Sequence, residues 1–78
     1  MNWEVTTKVT TSDGATATFY KDGGEYRVLL WIGTFHNNIV DPKSIKLEKG
    51  KRLRFNYYSG VSLEKIASKY PVVSIEEE

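Results

Sequence analysis

The sequence predicts a mainly β domain, a small antiparallel barrel of five to six strands with one short C-terminal helix. Three observations carry this. Turn residues stand at Ser12-Asp13-Gly14, Asp22-Gly23-Gly24, Lys49-Gly50 and Gly60, dividing the chain into runs of five to ten residues, the spacing of short antiparallel strands. Within most runs apolar and polar residues alternate with period two. The chain has 78 residues and no cysteine. It is therefore read as one domain over residues 1–78, with a thin core and no disulfide to support it.

The first run, Asn2 to Thr11, alternates. Trp3, Val5, Thr7 and Val9 share one face, and Glu4, Thr6, Lys8 and Thr10 the other. In the second, Ala15 to Lys21, Ala15, Ala17 and Phe19 lie together. A three-residue loop at Ser12-Asp13-Gly14 pairs Val9 with Ala17 and Thr7 with Phe19, matching the apolar faces; a two-residue loop would mismatch them. The third run is Glu25 to Ile32. A type I′ turn at Asp22-Gly23 would set Phe19 against Tyr26 and Ala17 against Val28. Tyr26, Val28, Leu30 and Ile32 then face inward, and Arg27, Leu29 and Trp31 outward.

Gly33 to Ser44 shows no helical period and reads as a loop with a short strand at Ile39-Val40. Ser44 to Glu48 and Arg52 to Tyr58 form a hairpin about Lys49-Gly50. Ile45, Leu47, Leu53, Phe55 and Tyr57 share its inner face. The last segment changes character. Ser62 suits an N-cap, Glu64 the first turn, and Val61 a hydrophobic staple to Ile66. Leu63, Ile66, Ala67 and Tyr70 recur at helical spacing. The expectation is a helix over about Ser62 to Lys69, packed on the sheet by Leu63 and Ile66 and stopped before Pro71. Val72, Val73 and Ile75 then form a short last strand, and Glu76 to Glu78 fray into solvent. A three-strand meander followed by a separate hairpin is the wiring of an OB-like Greek-key barrel, with an SH3-like barrel as the alternative.

The formal charge is only +1, but it is unevenly spread. Lys43, Lys46, Lys49, Lys51, Arg52 and Arg54 are opposed in their stretch by Glu48 alone, a local charge of +5. No G-x-S-x-G, P-loop or dinucleotide fingerprint occurs, and no Cys/His cluster with metal-ligand spacing. The one histidine, His36, has no carboxylate beside it in sequence and reads as an exposed loop residue. The chain is therefore expected not to be an enzyme and to need no metal or cofactor. No basic and apolar leader is visible at the N-terminus, and the run Val28 to Ile32 is too short to span a bilayer. The expected setting is cytoplasmic, without membrane contact.

Two binding functions follow. In the first, Lys46, Lys49, Lys51, Arg52 and Arg54, with Tyr58 on the same face, contact single-stranded nucleic acid through phosphates and a stacked base. Lysines and arginines also serve as ordinary solvent cover on antiparallel strands, so the charge run alone does not decide. In the second, the outward Tyr20, Leu29 and Trp31 form a protein interface or a homodimer contact, as in a viral accessory protein. The competing structural role for this patch is to receive the C-terminal helix.

Overall fold

Antiparallel pairing joins each strand to its neighbour in sequence, and the last to the first, in the computed structural model, which describes residues 3–78. The strands are β1 Trp3–Thr11, β2 Thr16–Asp22, β3 Glu25–Trp31, β4 Phe35–Val40, β5 Arg52–Ser59 and β6 Ser62–Glu77. One 3-10 turn, Pro42–Ser44, lies between β4 and β5. The result is a closed six-stranded barrel with a purely sequential strand order. No connection makes the Greek-key crossover of the expected OB-like wiring.

The β1–β2 hairpin has the expected register, Val9 opposite Ala17 and Thr7 opposite Phe19. Ser12, Asp13 and Gly14 form its loop inside a Thr11–Ala15 hydrogen bond of 2.9 Å. The alternation does not run the length of β1. A bulge at Thr6 places Val5 opposite Tyr20 and Trp3 opposite Asp22, so Trp3 and Val5 move to the outer face while Thr7 and Val9 stay inside. The Thr6 hydroxyl donates to the Phe19 carbonyl at 3.1 Å beside that irregularity.

The β2–β3 loop is Gly23-Gly24, with Asp22 opposite Glu25, not the expected Asp22-Gly23. Gly23 has φ of 65° and Gly24 a negative φ, which is the pattern of a type II′ turn. Phe19 consequently meets Val28, and Ala17 meets Leu30. The slip is two residues, so every side chain keeps its expected face.

Three expectations further along are corrected. Gly33 to Ser44 contains a full strand, β4, paired with β3 from Trp31–Phe35 to Arg27–Ile39. The segment Ser44 to Glu48 is not a strand. Asp41 caps the 3-10 turn by accepting from the Lys43 amide, and within this segment an isolated bridge joins Lys46 to Arg54. Its parity nevertheless holds, since Ile45 and Leu47 pack on the core and Lys46 is exposed.

The C-terminal helix is absent; Ser62 to Lys69 is extended and hydrogen-bonded to β5. An isolated eight-residue helix is marginal in water, whereas this segment completes the ladder along the whole of β5. Gly60, with φ of 65°, makes the two-residue turn that lets Ser59 pair with Ser62. Ser62 is thus a hairpin residue and Val61 is 98% exposed, with no staple. The register then slips between Arg52–Pro71 and Arg54–Ala67, leaving Ser68, Lys69 and Tyr70 as a bulge. The Ser68 hydroxyl accepts from the Leu53 amide at 2.9 Å and donates to the Tyr70 carbonyl at 2.7 Å. At Val72 the strand changes partners and runs on beside β1 as far as Glu77. The acidic end is therefore part of the sheet, with Glu76 opposite Lys8.

Inside the barrel are Val9, Ala17, Phe19, Val28, Leu30, Val40, Leu53, Phe55 and Val72. Phe19 and Phe55 meet edge to face at 5.3 Å, a geometry that adds to the gain from area burial. Of the expected core, Leu47 is only partly buried, and Ile32 lies outside β3 at 50% exposure.

Candidate nucleic-acid interface

Because Leu53 and Phe55 face the core, alternation turns Arg52, Arg54, Asn56 and Tyr58 of β5 outward. Across the β5–β6 ladder, Asn56 pairs with Lys65, Arg54 with Ala67 and Tyr58 with Leu63. On the other side of β5, Lys46 lies opposite Arg54, its amide donating to the Arg54 carbonyl at 2.9 Å. Ser44 holds the adjoining backbone, its hydroxyl accepting from the Asn56 amide at 2.7 Å. Lys46, Arg52, Arg54 and Lys65 thereby share one outer face.

The small Ala67 leaves room between these long side chains. A shallow groove of about 410 Å³ runs past Lys46, Arg54, Asn56 and Lys65. A second, of about 620 Å³, runs past Lys46, Glu48, Lys51, Arg52 and Arg54. Both include Ala67. Among the described residues the ion pairs are Arg27–Glu25 and Lys51–Glu48, each at 3.3 Å. Lys46, Arg52, Arg54 and Lys65 belong to neither, and the first and third stand directly across from each other. Like charges in that position are mildly destabilising, and an anion laid between them relieves the repulsion.

The sequence-expected residues are only partly brought together. Lys46, Arg52 and Arg54 form the face. Lys49 and Lys51 lie at the turn beside it, with Lys51 matched to Glu48. Tyr58 is 40% exposed at the far end of the same strand face, four residues or roughly 13 Å from Arg54. The sequence does not mark Lys65, because Leu63, Ile66 and Ala67 recur at helical spacing and show no period-two alternation. Glu64 falls on the other face of β6 and accepts from the Tyr57 hydroxyl at 2.9 Å. That bond and the neighbouring charge hold the Tyr57 hydroxyl above the ordinary tyrosine range.

Tyr20, Leu29 and Trp31 divide differently. Tyr20 is 2% exposed and cannot be a contact residue. It lies outside the barrel core, stacked under Trp3 at 4.8 Å, with its hydroxyl donating to Asn37 Oδ1 at 3.0 Å. Arg27 Nε donates to the same oxygen at 3.1 Å. Leu29 is half-buried. Trp31 is 38% exposed and meets Phe35, 68% exposed, at 4.6 Å. Phe35 carries no strand signal in the sequence, because Gly33 to Asn38 shows no alternating pattern. No helix covers this patch.

The barrel interior opens at one mouth into an apolar cavity of about 230 Å³ beside Leu30, Leu53, Phe55 and Ile66, with Asp13 and Lys69 at the rim. The Thr11 hydroxyl donates to the Asp13 carboxylate and holds it below its ordinary range. His36 sits on β4, not in a loop, with Nε2 3.0 Å from the Thr34 hydroxyl. Among the described residues no three His, Cys, Asp or Glu side chains gather as metal ligands. No described helix is long and apolar enough to cross a membrane. Compared with known proteins, the chain matches no family model, no curated sequence and no solved structure.

Proposed function

We propose that the chain is a non-enzymatic binding domain that holds single-stranded nucleic acid on the outer face of β5 and β6. The observation that carries this is the convergence of Lys46, Arg52, Arg54 and Lys65, outside any ion pair, on a grooved face continued by Tyr58. Phosphates would lie along the grooves past the cations, and a base would stack on Tyr58. Counterion release would supply most of the affinity, with little sequence preference.

The test is titration with single- and double-stranded oligonucleotides at several salt concentrations. Log affinity for single strands is expected to fall with log salt at about 0.7 per phosphate contacted, so roughly 2 to 3 for this face. Arg54→Ala and Lys65→Ala should each flatten the slope. Tyr58→Ala should cost about 1–3 kcal/mol and leave the slope nearly unchanged. Lys8→Ala, opposite the acidic end of β6, is the control. Absence of binding tighter than about 10⁻⁴ M at low salt removes the proposal.

A further inference from the structure

Barrel closure is uneven. β3 and β4 pair over five positions, but β4 and β5 pair only at Ile39–Tyr58 and Val40–Tyr57. The β5–β6 hairpin turns at Gly60, so β4 runs past its end. Asp41, just beyond β4, donates its amide to the Asn56 carbonyl of β5. Alternation along the strand therefore aims the amides and carbonyls of Phe35 and Asn37 toward the same side, where no described strand meets them. A closed barrel ordinarily removes such edges.

This edge lacks the usual protection. From Val28 to Val40 there is no Asp, Glu, Lys or Arg over thirteen residues, in a chain of which 27% is charged. Edges are normally guarded by lysine, proline or a bulge. Here the edge carries exposed Phe35 tilted against Trp31, with Ile32 half-exposed beside them. Depletion of charge around exposed aromatics is the composition of an interface centre.

We infer that two copies of this chain pair antiparallel along β4, across a twofold axis, covering Phe35 and Trp31. Three features select a second copy as occupant. An antiparallel edge is self-complementary, each copy offering the donors and acceptors the other needs. The charge beside the edge, Arg27, is already paired with Glu25 at 3.3 Å and with Asn37 Oδ1 at 3.1 Å, so it offers little to an oppositely charged partner. The cations Arg52, Arg54 and Lys65 lie on β5 and β6 beyond the point where β4 leaves β5 at Tyr58, so they stand off the paired edge. The edge is short and its exposed aromatic area modest, which places the contact at the weak end of specific interfaces.

Sedimentation equilibrium and amide exchange read by NMR test this together. The mass should rise from 8.9 kDa toward twice that value as concentration increases into the high micromolar range. Amide protection at Phe35 and Asn37 should rise in parallel. Phe35→Lys, at an exposed position that leaves the barrel intact, should weaken association at least tenfold. Val61→Lys, on the exposed β5–β6 turn, should leave it unchanged. A monomer throughout that range overturns the inference. So does a dimer that resists Phe35→Lys, or one that leaves the Phe35 and Asn37 amides equally exposed. Nucleic-acid binding does not enter these readouts, so the two proposals fail separately.

Discussion

Phe55 illustrates how a single position joins pattern to energy. It is 2% exposed and meets both Phe19 and Tyr57, while its neighbour Arg54 lies outside. Phe55→Ala is expected to destabilise the domain by about 3–5 kcal/mol, since the void has rigid strands on every side and cannot collapse. Urea unfolding monitored by tryptophan fluorescence measures this. A cost below about 1 kcal/mol would mean that the barrel repacks freely. Tyr20 carries the opposite lesson. Its parity turns it away from the core, yet it is as buried as Phe55, because Trp3 lies over it and Asn37 takes its hydroxyl. Strand parity assigns a face; whether that face is covered depends on side chains from other strands.

Among the elements, β6 departs furthest from its local signals. Ser62, Glu64, Leu63 and Ile66 agree on a helix, and none of them acts in that capacity. The decisive quantity is the hydrogen bonding along β5, available only once β5 is in place. Ser62→Ala should therefore change stability by no more than about 0.5 kcal/mol, as for an ordinary surface site, where a lost helix cap would cost about 1 kcal/mol. Ser68→Ala should cost about 1–3 kcal/mol, because it leaves the Leu53 amide without its partner beside a buried side chain. Paired chemical denaturation of the two variants reads the contrast. Equal effects would contradict the strand. The bulge at Thr6 in β1 has no comparable sequence signal; threonine suits both an unbroken strand and this position.

Across the whole molecule, the cationic face and the exposed aromatic pair belong to different strands. The cations gather where β5 meets β6 and the Ser44–Lys46 segment. The aromatic pair sits where β4 outruns its neighbour. The two surfaces should therefore respond independently. Phe35→Lys is expected to weaken self-association at least tenfold and preserve the Arg54-dependent salt slope for single strands. Arg54→Ala is expected to lower that slope and leave the association constant within about twofold, because Arg54 lies past Tyr57 on β5, on the other side of the β4–β5 contact from Phe35. Titration and sedimentation of both variants at one ionic strength check this. A variant that moves both readouts would place the two surfaces in one site.

Local pattern was enough for the β class, the β1–β2 register from Thr7 to Val9, and the inward Phe19, Val28, Leu30, Leu53 and Phe55. Those depend on period-two alternation and on turn residues a few positions apart, both properties of local chain. It also marked Lys46, Arg52 and Arg54 as neighbours, since alternation puts them on one face of a hairpin-like segment. It could not show Lys65 beside them, Phe35 beside Trp31, or the open edge of β4. Each of these depends on which strands meet, and where one ends against another. The two-residue slip at Gly23-Gly24 passed without harm because parity survives it. The one-residue bulge at Thr6 moved Trp3 and Val5 to the other face of the sheet. Only the tertiary structure decided such positions, because their energy comes from ladders and packing between segments distant in sequence.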